Sequence, residues 1–314
     1  MTTHIVIMAG GQGTRLYPLS TSEKPKQFLD LLDCGRTLIQ LCYDRFVALD
    51  PEAIFWVVTS ERYASLVKEQ LPAVPESRIL CEPEPRNTAP CIAYAIWKIK
   101  ASFSDANIIV TPSDAYVSCI DSFAITLKTA LAFTEANKSA VLCIGIKPES
   151  PRTEYGYIQI SSRDKMQSPE YQQNIYKVSA FKEKPCLEVA KEYINRGNYF
   201  WNAGIFVWSA AAIESELRAY AGGIASIMDE LSPSLYTARE TAELRRLFPK
   251  CEKISIDSAV MEKSKNVFCV PGNWPWSDLG SFASIEAITG KTIPQDIKDA
   301  QEAYQAAKNI SKKV

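Results

Sequence analysis

Three glycines in one short turn, Gly10, Gly11 and Gly13, follow the apolar run Ile5–Ala9 and lead straight into Thr14 and Arg15. Glycine lets a ligand approach the backbone closely, and successive amides in such a turn form a nest for an anion. Arg15 adds a forked guanidinium suited to phosphate. Lys24 and Lys26 bring two more cations, in a segment stiffened by Pro18 and Pro25. The spacing is neither GxGxxG nor GxxxxGK[ST], so the turn is neither a dinucleotide fingerprint nor a Walker A loop. It reads as a phosphate-holding loop of another kind. Spacing alone leaves a packing turn with solvated lysines as the alternative.

Such a loop needs a rigid scaffold. Apolar runs at His4–Met8, Ala53–Thr59, Arg78–Cys81, Asn107–Thr111 and Ala140–Ile144 predict strands. Between them, Thr37–Ala48, Glu61–Gln70, Thr88–Ser102 and Ser122–Asn137 have helical periodicity. This alternation implies an α/β fold with a mostly parallel central sheet flanked by helices. Further on, Tyr155–Ile160 and Ile175–Lys182 read as strands, with polar Ser161–Asn174 as a loop or hairpin tip. Cys186–Arg196 reads as a helix, Ile205–Trp208 as a strand, and Ala210–Tyr220, Ile224–Leu231 and Tyr236–Phe248 as helices. A short helix at Asp257–Met261, a strand at Val267–Val270 and a helix at Ser281–Ile288 complete the pattern. We divide the chain into one domain over 1–290, with a substrate-side section at 145–210, and a tail over 291–314. Polar, lysine-rich Asp296–Lys313 reads as a surface helix or a frayed end.

Composition narrows the function. The 314 residues are 46% apolar and 23% charged, enough for a real core. A net charge of −1 leaves no broad basic footprint, so nucleic acid is not the expected partner. Nine cysteines without a CxxC spacing, mostly beside apolar residues, are expected to be buried small hydrophobes. The only histidine, His4, placed in a tail ahead of the first strand, excludes a Ser-His-Asp triad and histidine-based zinc chemistry. No signal peptide and no long apolar run are visible, which makes a soluble, cytoplasmic protein without a membrane partner the expectation.

Longer blocks carry a resemblance. GGQGTRLYPLS (Gly10–Ser20) with KPKQF (Lys24–Phe28) resembles the sugar-nucleotide pyrophosphorylases, and more narrowly the mannose-1-phosphate guanylyltransferases. EPEPRNTAP (Glu82–Pro90), TPSD (Thr111–Asp114), YGYI (Tyr155–Ile158), FKEKP (Phe181–Pro185), WNAGIF (Trp201–Phe206), SIDSAVMEKS (Ser255–Ser264) and WSDLGS (Trp276–Ser281) continue it in family order. The resemblance implies a nucleotide-diphospho-sugar transferase fold, Rossmann-like and GT-A-like. It also implies a reaction in which GTP and mannose 1-phosphate give GDP-mannose and pyrophosphate with Mg²⁺ or another divalent cation. Such chemistry needs alignment and charge compensation more than proton transfer, because a sugar phosphate is already largely ionised near neutral pH.

On this resemblance Arg15, Lys26, Asp114 and Asp278 are the catalytic candidates, and Asp114 with Asp278 the metal pair. Gly10, Gly11, Gly13, Thr14, Arg86, Asn87, Thr88 and Ser113 would bind the nucleotide. Tyr155, Gly156, Glu183, Lys184 and Asn202 would bind the sugar phosphate. From the residues themselves, Asn87 or Thr88 is a candidate helix N-cap, with Pro90 tolerated in the first turn.

Two positions depart from the family: Ala115 stands where relatives commonly carry histidine, and Glu154 interrupts a Thr-Gly-Tyr-Gly-Tyr pattern. A carboxylate there repels a sugar phosphate unless it turns outward or pairs with Arg152. The tail shows no hexapeptide repeat and is not expected to supply a second activity; self-association stays open. The alternatives are a pyrophosphorylase for another sugar or base, and a sugar-nucleotide-binding regulatory subunit without turnover.

Overall fold

The structure, a computed structural model, describes residues 1–167 and 173–311. Its strands in chain order are β1 (Thr2–Met8), β2 (Ile54–Ser60), β3 (Ile79–Glu82), β4 (Ala106–Pro112), β5 (Tyr116–Val117), β6 (Val141–Ile146), β7 (Tyr157–Met166), β8 (Ile175–Lys182), β9 (Tyr199–Ser209), β10 (Val267–Gly272) and β11 (Trp276–Ser277). The helices are α1 (Leu38–Leu49), α2 (Ala64–Gln70), α3 (Thr88–Lys100), α4 (Ile120–Ala136), α5 (Leu187–Arg196), α6 (Ala210–Tyr220), α7 (Gly222–Leu231), α8 (Glu240–Leu247), α9 (Phe282–Thr289) and α10 (Gln295–Ser311).

Nine strands form one sheet in the order β3-β2-β1-β4-β9-β6-β10-β8-β7. By their pairings β1, β2, β3, β4, β6, β7 and β10 run one way, and β8 and β9 the other. The sheet is therefore mostly parallel in direction, with β9 wedged antiparallel between β4 and β6. Apolar cores cover both faces, one built on α3, α6 and α7 and the other on α1, α4 and α5.

The chain leaves β1 for β2 on one side and returns to β4 on the other. That reversal opens a crevice beyond the C-terminal ends of β1 and β4, where ligands of open α/β sheets bind. Gly10–Gly13 follow β1 and Asp114 follows β4, and the Ser113 amide donates to the Met8 carbonyl at 3.1 Å. A two-stranded ribbon, β5 with β11, brings Asp278 to the same crevice by pairing Ser277 with Tyr116.

Several elements differ from the sequence expectation. β7 runs past Ile160 through Met166, pairing Lys165 with Tyr176, so part of the expected Ser161–Asn174 loop is strand; residues 168–172 of it lie outside the described residues. β9 begins at Tyr199, not Ile205, because Tyr199–Trp201 pair with β7; the polar Asn202 and Gly204, at a bulge in the pairing with β6, break the apolar run. The expected helix Tyr236–Phe248 starts only at Glu240, since Tyr236 adopts φ 60°. Asp257–Met261 is a π-helical turn; in the tail, the helix reading matches Gln295–Ser311.

His4, which also begins the expected His4–Met8 strand, is not in a tail. It lies inside β1, fully buried, with Trp56 Nε1 donating to its Nδ1 at 3.0 Å and Phe103 edge-on. Burial, with the Arg78 charge, lowers its pKa to about 4, so it is a neutral core ring. All nine cysteines are free; Cys42, Cys91, Cys143, Cys251 and Cys269 are buried, whereas Cys34 and Cys186 are exposed and Cys81 and Cys119 half-buried.

Candidate active site

The phosphate loop is held from behind. Gln27 Nε2 donates to the Ala9 carbonyl at 3.0 Å and to the Gly11 carbonyl at 2.9 Å, which turns the peptide units of the loop outward. Gly13 adopts φ 59°, and a Cβ there would stand 2.6 Å from Ser20 Oγ and 3.0 Å from Lys26 Cγ. Only glycine meets both demands. A 3-10 turn, Thr14–Leu16, follows, and Leu16 is fully buried against Leu279 and Phe282.

Lys26 joins the loop to both aspartates. Lys26 as a residue is 7% exposed, and its ammonium is 2.8 Å from Asp114 Oδ2 and donates to the Asp278 backbone carbonyl at 2.6 Å. The Asp278 carboxylate accepts from Arg15 Nη2 at 3.2 Å, from the Tyr155 hydroxyl at 3.1 Å and from the Gly280 amide at 2.9 Å. Burial and the Asp278 charge hold the Tyr155 hydroxyl above the usual tyrosine range, so it stays a proton donor. Leu279 beside Asp278 has φ 46°, a strained value for a branched side chain, fixed by its full burial. The Asp114 carboxylate is the ion-pair partner of Lys26.

A second group sits on β7, β9 and the β8–α5 turn. The Asn202 amide donates to the Gly156 carbonyl at 2.8 Å, and Asn202 Nδ2 donates to Asp257 Oδ1 at 2.9 Å. Glu183 presses so close to Gly156 that a Cβ there would lie 2.7 Å from Glu183 Oε2. Lys184, at φ 44°, pairs with Glu183 and is well exposed. Burial, with the neighbouring Glu183 charge, raises the Asp257 carboxyl to about 6. Glu154 pairs with Arg152 at 3.5 Å.

The third group opens α3. Asn87 is its N-cap, at φ 67°, its side chain accepting from the Thr88 amide at 2.8 Å. Thr88 Oγ1 accepts from the Ile256 amide at 2.9 Å, and Arg86 pairs with Glu84. Ser113 is buried at the end of β4.

Two residues at the site escaped the sequence reading beyond their place in motifs. Gln27 carries no charge to draw attention. Glu82 closes β3, only 6% exposed; its Oε1 has no hydrogen-bond partner, and its Oε2 lies 3.2 Å from where a Gly10 Cβ would stand. Burial raises its carboxyl to about 8. Glu82 is thus a buried carboxyl beside the phosphate loop, with Cys91 as a hydrogen-bonding neighbour and one oxygen left without a partner. Its burial by the loop, invisible in the chain, is the signal.

A cavity of about 580 Å³ opens on the Asp278 side, lined among others by Arg15, Tyr155, Trp276, Asp278, Gln301 and Gln305; Lys26, Asp114, Lys184 and the Arg86–Thr88 group do not line it. Two carboxylates on separate elements suit a hard cation such as Mg²⁺, which takes one or two protein carboxylates and fills its shell from phosphates and water. Among the described residues no cluster of three or more acidic, cysteine or histidine side chains could hold a metal alone.

Against known proteins, the chain matches the Nucleotidyl transferase family over residues 4–294. It belongs to that family. It is 35% identical to a mannose-1-phosphate guanylyltransferase of Escherichia coli, covering 93% of this chain and 64% of that one. Identity is also 35% to the alginate biosynthesis protein AlgA of Pseudomonas aeruginosa, over 91% of this chain and 58% of the relative. A Thermus thermophilus crystal structure described as a mannose-1-phosphate geranyltransferase superposes with a TM-score of 0.79 at 29% identity, covering 93% of this chain and 80% of that one. The chain spans about three-fifths of the length of the curated relatives it matches. The mixed sheet is the GT-A-like fold of nucleotidyl transferases.

Proposed function

We propose that this nucleotidyl transferase moves GMP from GTP to mannose 1-phosphate and releases pyrophosphate. The observation that carries the reading is the Lys26 ammonium joined to both Asp114 and Asp278 under a glycine loop. In the reaction an oxygen of the sugar phosphate forms a bond to the α-phosphorus, and the bond from that phosphorus to the bridging oxygen of pyrophosphate breaks. The Gly10–Gly13 amides, Thr14 and Arg15 hold the triphosphate, and Lys26 faces charge that grows on the departing pyrophosphate. Asp114 and Asp278 would hold Mg²⁺, which when bound neutralises phosphate charge and makes the α-phosphorus more electrophilic. Tyr155 and Arg15 orient the Asp278 carboxylate. Lys184, Glu183 and Asn202, with Gly156 leaving room for the backbone approach, take the sugar phosphate.

The choice of guanine rests on Glu82 and on the names of the relatives. Guanine offers adjacent N–H donors on its Watson–Crick edge, and a carboxylate with a free oxygen accepts both; Arg86, Asn87, Thr88 and Ser113 would complete the base side. The relatives' names also supply mannose. Arg152 pairs with Glu154 at 3.5 Å, a cation that offsets the carboxylate's repulsion of a phosphate.

The test is direct. The chain with GTP, mannose 1-phosphate and Mg²⁺ should form GDP-mannose and pyrophosphate in equal amounts. Preference for another sugar or triphosphate in a panel assigns the other pyrophosphorylase reading, and tight GDP-mannose binding without turnover assigns a regulatory subunit.

A further inference from the structure

The family match ends at residue 294, and the helix α10 begins at Gln295. Yet α10 lies on the phosphate loop. Gln301 Nε2 donates to the Arg15 carbonyl at 2.7 Å, and Gln305 Nε2 to the Thr14 carbonyl at 3.3 Å. Lys308 Nζ donates to Thr14 Oγ1 at 3.1 Å, and the Tyr304 ring stacks on Tyr17 at 4.4 Å. Residues 301, 304, 305 and 308 fall at i, i+3, i+4 and i+7, one face of a helix. That face is made of amides, a ring and a cation, where a helix packed only for burial would present aliphatic side chains. The aliphatic anchor lies a turn earlier: Ile297 packs against the small core of Leu16, Leu38 and Leu279, and Lys298 pairs with Glu286 at 2.8 Å.

From this geometry we infer that α10 is a positioning strap for the phosphate loop, and that affinity for the pyrophosphate moiety depends on it. The inference rests on the proposed reading of Gly10–Arg15 as a phosphate site. A peptide unit is planar, so a donor fixed on the Thr14 carbonyl also fixes the direction of the Arg15 amide, and with it one arm of the anion nest. Gln301 holds the next carbonyl, that of Arg15, whose peptide partner, the Leu16 amide, closes the 3-10 turn onto the Gly13 carbonyl at 3.1 Å. Lys308 places a cation on the Thr14 hydroxyl, where it adds positive potential to the loop without needing to touch the reacting phosphorus. The strap acts through Thr14 and Arg15; none of its residues is a catalytic group.

Isothermal titration of the full chain with inorganic pyrophosphate and Mg²⁺ tests this without requiring turnover. Replacing both amides isosterically, Gln301→Glu with Gln305→Glu, turns donors into acceptors facing carbonyls and should weaken pyrophosphate binding about tenfold. Lys308→Ala should weaken it about threefold and Lys308→Arg keep it within about twofold, since only charge and reach matter there. Binding of mannose 1-phosphate should not change, and in turnover the KM for GTP should rise while the KM for the sugar phosphate stays. Unchanged pyrophosphate affinity in the folded double variant and in Lys308→Ala overturns the strap; if the double variant does not fold, the Lys308 pair decides. Pyrophosphate binding that falls in the variants of a chain that makes no GDP-mannose keeps the strap and sinks the proposed function. A wild-type chain that binds no pyrophosphate sinks the strap and the phosphate-loop reading beneath it.

Discussion

Lys26 and Asp114 pair ammonium to carboxylate at 2.8 Å at the floor of the crevice, with Lys26 almost wholly buried. Its aliphatic stem meanwhile packs under Gly13, so the residue has one role in the loop's shape and another in its charge. Lys26→Met separates them, because it keeps the stem and removes the cation. We expect the fold to survive and kcat to fall by about 10²–10³-fold, the scale for losing one preorganised charge-stabilising group. A Met variant with wild-type turnover would remove Lys26 from the chemistry.

Asp278 is held by three donors, from Arg15, Tyr155 and Gly280. Asp278→Asn retains an oxygen for the Gly280 amide and the Tyr155 hydroxyl but loses the charge. Activity should drop about 100-fold, with the Mg²⁺ concentration for half-maximal rate rising, because a neutral amide is a poor ligand for a hard cation. Thermal unfolding should shift by little. If the Mg²⁺ dependence is unchanged, Asp278 does not hold the metal.

Gly156→Ala places a methyl group 2.7 Å from Glu183 Oε2. Because the far end of a flexible side chain is what must move, we expect a stability loss below about 1 kcal/mol. The displaced Glu183 carries Lys184 with it, so the KM for the sugar phosphate should rise about tenfold while that for GTP holds. Steady-state kinetics with each substrate varied in turn read this out; equal changes in both constants argue for a general distortion instead.

The scaffold was readable where local chemistry and final environment agree. β1, β2 and β4 are continuous apolar runs because both their faces are covered, and Asn87 caps α3 because its side chain replaces a missing acceptor. Reading failed where a distant segment sets the environment. β9 starts early because its first residues pair antiparallel with β7 and β6, and nothing in Tyr199–Gly204 announces either neighbour. The outer part of β7 is polar because it is solvated, so its pairing with β8 left no apolar alternation to see. At the site, the residue types of Lys26, Asp114 and Asp278 were legible from their motifs, but their meeting depends on the β5–β11 ribbon. Gln27 and Glu82 acquire meaning only from what buries them.

Glu82 supplies a prediction in which stability and binding move oppositely with pH. Its carboxyl is raised from 4.5 to about 8, so between those values the folded chain holds a proton that the unfolded chain has released. That contribution to stability is complete below about 4.5 and is lost as pH rises through about 8. Asp257, raised to about 6, has completed its own loss by then, and His4, lowered to about 4, changes only below its ordinary value of 6.5. From pH 6.5 to 8 Glu82 therefore dominates among these three, and the unfolding free energy should fall by about 2 kcal/mol at 1.36 kcal/mol per pH unit. Glu82→Gln cannot titrate and should flatten that slope in denaturant titrations across the range. On the proposed function GTP needs the carboxylate to accept its two base donors, so its affinity for the natural chain should improve toward pH 8 while the fold weakens. In Glu82→Gln that trend should vanish, and discrimination against ATP and UTP should drop by about 10- to 100-fold. A variant with the natural chain's pH slope and base preference would show that Glu82 neither stores that proton nor reads the base.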